Sequence, residues 1–116
     1  MKKVKFGETT KLLLIEDEKL FEQGDDGDKA YMIVAGRLAV FVDNIKVGSM
    51  SDGEVFGELA LLLNQKRSAT IISITPTELI EIDKNGLEKI IESASDNTKK
   101  MISLNHFIYI VFHVIS

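Results

Sequence analysis

The chain has 116 residues, which suits one domain with a hydrophobic core and is too short for two. Its 14 basic and 18 acidic side chains leave a formal net charge of −4, so the basic surface that contacts with nucleic acid require is missing. There are no cysteines, which excludes disulfides and thiolate metal sites and weakly favours a cytoplasmic location.

The two ends of the sequence show no membrane-targeting pattern. Residues 1–7 are basic, but no apolar stretch of the kind found in signal peptides follows them. The longest apolar run, 107–115, is interrupted by His113 and falls well below the roughly 20 residues that a membrane-spanning helix needs. We therefore expect no membrane span in this chain. Residues 1–10 are polar and unpatterned, and we predict a loose N-terminal arm there.

From Lys11 onward, short apolar runs alternate with turns rich in glycine and aspartate. The predicted strands are 11–16, 19–23, 31–34, 38–42, 45–47, 70–74 and 79–82. Asp43 and Asn44 separate two of them with the two-residue spacing of a tight hairpin. Short, evenly spaced strands of this kind predict a mainly β fold, an antiparallel β-roll or jelly-roll barrel. One short helix after Phe56 interrupts the strands.

The periodicity changes at the end of the sequence. Asp83 is a predicted N-cap, because the apolar residues that follow it recur at helical spacing. These residues are Leu87, Ile90, Ile91 and Ala94. A second helix is predicted beyond Ser95 or Asp96, with an apolar stripe over 101–115. Beyond His106 the sequence is apolar on every face and also rich in β-branched residues, so both helix and strand remain open for 107–115.

The stretch Phe56–Thr70 carries the residues with clear chemistry. Gly57 permits a sharp backbone turn, and the amides after it form the N-terminus of a short helix, which attracts anions. Arg67 supplies a guanidinium fork suited to phosphate. Glu58 cannot bind a phosphate, but it can accept a hydrogen bond from a neighbouring sugar hydroxyl. An anion site, a hydroxyl acceptor and an apolar wall together predict a nucleotide site.

This stretch resembles the phosphate-binding cassette of the cyclic nucleotide-binding domain family. The match consists of Phe56–Leu61 (FGELAL) and Arg67–Thr70 (RSAT), and we call residues 56–70 the cassette. A second match lies upstream in Gln23–Asp28 (QGDDGD), followed by Tyr31–Val34 and Gly36. The resemblance extends from about Lys11 to about Ala94, with both motifs in the family's order and separation.

The resemblance implies a role for each matching residue. Glu58 would bind the ribose 2′-hydroxyl of the ligand. Arg67 would bind the charged oxygen of the cyclic phosphate, together with the amides of Leu59 and Ala60. Asp28 matches the acid that orients the cassette arginine in several family members.

The residues after the arginine bear on the choice of base. Ser68 stands where the family uses alanine, serine or threonine; threonine there tends to accompany cGMP, and serine usually accompanies cAMP. We therefore expect cAMP rather than cGMP as the ligand, and no other cofactor or metal. Gly57 contributes its backbone to the predicted site, and Ala69 supports it as a small residue.

The family match also defines a predicted organisation. Residues 11–94 would form the nucleotide-binding β-roll with its following helix, and 95–116 a lid or dimerisation helix. Family members usually carry a helical segment before the barrel, whereas only residues 1–10 precede the first predicted strand here. No DNA-binding or catalytic sequence follows, so we expect an excised module or a stand-alone receptor.

Several other interpretations compete with the site. Leu59, Leu61, Leu62 and Leu63 are predicted as core residues, and Tyr31 as a core aromatic. The aspartates of 25–28 fit turn capping better than calcium binding. An enzyme of the cupin kind would need histidines on barrel strands, but His106 and His113 lie beyond the last one. No nucleophile motif is present, so we expect no enzyme.

The leading hypothesis is a non-enzymatic cAMP receptor in which ligand binding moves the C-terminal helix. The alternative is a domain of the same fold that has lost its ligand. Such a domain would act as an interaction or dimerisation module through the apolar segment 101–115, forming a homodimer or contacting an effector domain.

Overall fold

The computed structural model describes the backbone of residues 1–93 and the side chains of residues 1–89. The predicted lid or dimerisation helix lies outside the described residues. The elements are β1 (Lys2–Phe6), β2 (Thr9–Leu14), β3 (Lys19–Phe21), β4 (Ala30–Ala35), β5 (Arg37–Val42), β6 (Ile45–Ser51), β7 (Val55–Phe56), α1 (Glu58–Leu63), β8 (Thr70–Ser73), β9 (Thr77–Ile82) and α2 (Lys84–Ser93).

The strands form two antiparallel sheets. One has five strands in the order β1-β2-β9-β4-β7, and the other has four in the order β3-β8-β5-β6. Side chains buried between them form one apolar core. Its members include Leu12, Leu14, Ile33 and Leu79 from the first sheet and Leu38, Val40, Met50 and Ile71 from the second. The prediction of a mainly β roll with a short interrupting helix is confirmed.

The predicted tight hairpin is confirmed at Asp43 and Asn44. Both residues have positive φ angles, 51° and 65°, the conformation that two-residue hairpin turns require. Val42 therefore pairs directly with Ile45, and the strand continues to Ser51. The sequence predicted this strand to end at Val47, before Gly48, a residue type that is depleted in strands.

The prediction of a loose arm over residues 1–10 was wrong. Residues 2–6 form β1, which pairs with β2 through a turn at Gly7 and Glu8, where Gly7 has φ 59°. Backbone hydrogen bonding to β2 holds this edge strand, while its side chains stay exposed apart from the half-buried Val4. No apolar alternation is therefore present in the sequence to reveal the strand.

The predicted N-cap of α2 is confirmed. The Asp83 Oδ1 atom accepts a hydrogen bond from the Gly86 amide at 2.7 Å, which satisfies one amide of the first helical turn. Leu87 then packs with Ala30 and Ile82 in a small second core. Within residues 1–93, no helix is both long and apolar enough to cross a membrane.

Candidate functional site

The site begins where β7 ends. Phe56 pairs with Tyr31 of β4, and the next residue, Gly57, takes φ 79° and ψ 2°. This left-handed conformation suits glycine and turns the chain directly from the strand into α1. Glu58, Leu59 and Ala60, the first turn of that helix, are buried.

The leucines of α1 divide into three classes. Leu59 is buried, and Leu61 and Leu62 are half-buried against the small core that contains Leu87 of α2. Leu63 is 51% exposed, so its prediction as a core residue was wrong. It is the last helical residue, and the chain turns away there because Asn64 adopts a φ of 51°.

Arg67 is held inside the protein although it carries a full charge. Its side chain is 5% exposed. Nη1 donates to the Gly57 carbonyl at 3.1 Å, and Nη2 donates to the Lys29 carbonyl at 2.8 Å. The ring of Phe21 lies 4.1 Å from Cζ, within cation–π distance. The guanidinium therefore has a defined position beside the turn at Gly57.

Backbone hydrogen bonds join the upstream motif to the cassette. The Arg67 amide donates to the Asp25 carbonyl at 2.8 Å, and the Gly24 amide donates to the Arg67 carbonyl at 2.8 Å. Lys66 and Asp26 form an ion pair beside these bonds. The two sequence motifs, some forty residues apart in the chain, thus meet at Arg67.

Glu58 is a buried acid next to this cation. It is 9% exposed, and burial raises its pKa from 4.5 to about 7, although a backbone hydrogen bond and the positive charge of Arg67 oppose the rise. Its protonation state therefore changes near neutral pH. A carboxyl in this position is a strong acceptor when ionised, which suits a hydroxyl donor on a ligand.

A pocket of about 430 Å³, open solvent at its mouth included, lies against the cassette. Its lining combines apolar side chains with the polar edge of the cassette: Phe21, Val40, Phe56, Leu59, Ala60 and Ile71 on one hand, and Gly57, Gln65, Lys66, Arg67, Ser68 and Ala69 on the other. It is an apolar pocket with a cation in its wall.

Ser68 and Ala69 are among the residues that line this pocket, whereas Glu58 and Asp28 are not. Ser68 is exposed at the lining, and Ala69 is 5% exposed and belongs to the main core. The Asp28 side chain is 90% exposed and lies 3.3 Å from the Lys29 ammonium. The expected pairing of Asp28 with Arg67 stays a prediction. Tyr31 is a core aromatic as predicted, stacked on Phe56 with ring centroids 5.4 Å apart.

Sequence reasoning missed two contributors to the position of Arg67. One is the Lys29 carbonyl, which leaves no side-chain signature in a sequence. The other is Phe21, which the sequence placed in a strand; no residue pattern signalled that its ring would face the guanidinium.

The two-sheet roll with its interrupting helix is the fold of a β-roll ligand-binding domain. A family model for the cyclic nucleotide-binding domain matches residues 14–94. The chain therefore belongs to the cyclic nucleotide-binding domain family. Both the resemblance and the fold class predicted from the sequence are confirmed.

Similar proteins include regulatory and enzymatic ones. The chain is 36% identical over 84 residues to the cAMP-dependent protein kinase regulatory subunit of Yarrowia lipolytica, covering 72% of this chain and 22% of that protein. It is also similar to the EAL enzyme Bd1971 in a cAMP-bound form, with 26% identity and a TM-score of 0.68 over 90% of this chain and 29% of that one. A cGMP-bound form of the same enzyme matches at 28% identity and a TM-score of 0.67, covering 81% of this chain and 26% of that one.

Proposed function

We propose that this chain is a non-enzymatic regulatory module that binds a cyclic nucleotide, cAMP in preference to cGMP. The observation that carries the proposal is the buried Arg67, held beside Gly57 in the wall of an apolar pocket. A buried cation with fixed donors suits a small anion, because both partners are removed from water together. The family of the chain supports a cyclic phosphate as that anion.

In this proposal the cassette residues take separate roles. Arg67 and the amides of Leu59 and Ala60 bind the phosphate oxygens. Glu58, adjacent in the chain to Gly57, accepts a hydrogen bond from the ribose 2′-hydroxyl. The apolar lining, which includes Val40 and Ile71, takes the less polar parts of the nucleotide. Asp28 supports Arg67 from the neighbouring loop.

The choice of purine rests on the exposed Ser68 at the pocket lining. A serine hydroxyl can donate and accept hydrogen bonds, so it can meet the edge of either base. The similar EAL enzyme has been solved with both cAMP and cGMP, which makes the preference a matter for direct comparison. We propose cAMP on the family tendency that serine accompanies it.

We further propose that the ligand shifts the packing of the helices that follow the roll. Leu61 and Leu62 of the cassette helix pack with the small core that includes Leu87 of α2. A ligand that reorders the first turn of α1 therefore acts on a surface that α2 shares. Such a shift requires the ligand to bind one packing arrangement more tightly than the other.

Titration calorimetry with cAMP, cGMP and AMP tests the proposal. We expect cAMP to bind most tightly, and Arg67→Ala to cost about 2–5 kcal/mol of binding free energy, because the variant leaves a buried phosphate charge without its partner. Arg37→Ala is the matched control, since Arg37 is an exposed arginine on β5. Equal cAMP affinity in the Arg67 and Arg37 variants would contradict the assigned site.

A further inference from the structure

Gly27, in the middle of the upstream loop, lies directly against the guanidinium of Arg67. A Cβ atom added at Gly27 would lie 2.3 Å from Nε, 2.4 Å from Cζ and 2.8 Å from Nη2. Real Cβ atoms essentially never approach another heavy atom to under 3.0 Å. Any side chain at position 27 therefore requires the guanidinium to leave its present position.

The backbone of Gly27 does not itself require glycine. Its φ angle lies outside the positive range in which an alanine would be strained. Gly57 differs, because its φ of 79° disfavours any side chain in addition to the 2.8 Å approach to Nη1. Gly24 is the opposite case: its φ of 91° disfavours a side chain, but no atom lies within 4 Å of its added Cβ. A substitution at Gly27 thus tests the steric contact with Arg67 without the strain of a positive φ angle.

The guanidinium cannot yield to a side chain at position 27 without losing its contacts. It donates to the carbonyls of Gly57 and Lys29, lies on the Phe21 ring and is nearly enclosed. A shift of about 1 Å, enough to relieve the overlap, breaks hydrogen-bond geometry that is set to a few tenths of an ångström. The rest of the fold stays intact, because the atoms that must move are the end of one flexible side chain.

We propose that Gly27 is a positioning residue of the phosphate site: its missing side chain leaves the space in which the Arg67 guanidinium is seated. Gly27 acts through Arg67 and makes no contact of its own with the ligand. This inference rests on the proposed function, since the seated guanidinium is the group that would bind the cyclic phosphate. It makes Gly27 a determinant of ligand affinity instead of a general turn residue.

The test compares Gly27→Ala with wild type in cAMP titration calorimetry and thermal unfolding. We expect affinity to fall by between about tenfold and about 100-fold, the loss typical of a misplaced binding group. The midpoint of thermal unfolding should fall by no more than about 8 °C, because the variant disturbs the contacts of one buried side chain and leaves the core between the two sheets in place. Gly48→Ala is the control, since Gly48 has no positive φ and no atom within 4 Å of its added Cβ. It should bind cAMP as wild type does.

A double variant separates positioning from a general structural role. Arg67→Ala removes the three atoms that lie nearest to the added Cβ. In that background Gly27→Ala should therefore cause no further loss, measured at cAMP concentrations high enough to detect weak binding. If Gly27→Ala alone fails to fold because its Cβ overlaps Arg67, removal of the Arg67 side chain relieves the overlap. The double variant should then fold.

The outcomes distinguish the two proposals. Wild-type protein that binds no cyclic nucleotide would overturn the proposed function. Wild-type binding with loss in Arg67→Ala, but affinity in Gly27→Ala within about twofold of wild type, would overturn the role of Gly27 alone. Additive losses in the double variant would overturn it too, as would a double variant that fails to fold when Arg67→Ala folds.

Discussion

The cassette, residues 56–70, and the outer hairpin, residues 2–11, differ in how far their charged side chains are exposed to solvent. In the cassette, Glu58 is 9% and Arg67 5% exposed, and their surroundings are backbone carbonyls, aromatic rings and apolar side chains. In the outer hairpin, the Lys3 side chain is 60% exposed where it meets Glu81, and that of Lys11 is 33% exposed where it meets Glu78.

This difference indicates where function is located. Burying a charge costs several kcal/mol unless polar partners are in place, so a buried acid and a buried cation side by side need a reason to persist. Exposed ion pairs cost little and contribute about 0–1 kcal/mol. The cassette therefore carries an energetic cost that the proposed ligand binding would explain, whereas substitutions in the outer hairpin should cost little stability.

The largest contrast is expected from two phenylalanines. Phe56 is 1% exposed and stacks on Tyr31, so Phe56→Ala should lower the free energy of unfolding by about 3–5 kcal/mol through lost burial and a cavity. Phe6 in the outer hairpin is 61% exposed, and Phe6→Ala should change the free energy of unfolding by less than about 1 kcal/mol. Denaturant unfolding measures both. Similar losses of unfolding free energy in the two variants would contradict the difference between the two regions.

A smaller contrast concerns pH. The folded-state pKa of Glu58 is about 7, above its ordinary value of 4.5, so between these values the folded state binds more protons than the unfolded state. Stability therefore falls as pH rises from about 4.5 to about 7, by up to roughly 3 kcal/mol at 1.36 kcal/mol per pKa unit. Glu58→Gln should remove this fall and be more stable than wild type at pH 8, but not at pH 4.

Denaturant unfolding across that pH range measures the effect. Glu8→Gln, on the exposed turn of the outer hairpin, removes the same charge and should keep the wild-type pH dependence. A Glu58→Gln variant whose stability follows the wild-type curve at every pH would show that burial of this carboxyl has no energetic cost.

The same contrast explains what the sequence could predict. Gly57, Glu58 and Arg67 could be assigned together because a motif of fixed spacing places them around one turn. The hairpin strand β1 could not be predicted, because exposed lysines on an edge strand carry no apolar period and the strand is held by backbone pairing with β2.

Within the site, the residues of the two motifs were predictable, but the partners that position Arg67 were not. The Lys29 carbonyl accepts from Arg67 irrespective of the side chain at that position. The contact between Gly27 and the guanidinium depends on how the loop at 24–28 folds back on the cassette, which the motif spacing alone does not specify. Leu63 shows the converse error, since an apolar side chain predicted as core is 51% exposed at the last residue of the helix.

The smallest expected effect concerns the side-chain contacts of Lys11 in the outer hairpin. Lys11 has two partners, the Glu78 carboxylate at 3.0 Å and the Phe6 ring with its centroid 5.5 Å away, so it is the best-connected cation of the outer hairpin. We nevertheless expect Lys11→Ala to cost less than about 1 kcal/mol of stability, because water and salt screen a partly exposed pair. A double-mutant cycle with Glu78→Ala should give a coupling energy below about 0.5 kcal/mol at physiological ionic strength. A coupling of about 2 kcal/mol or more would contradict this, since exposed pairs do not reach that value and the hairpin would then be an energetic part of the roll.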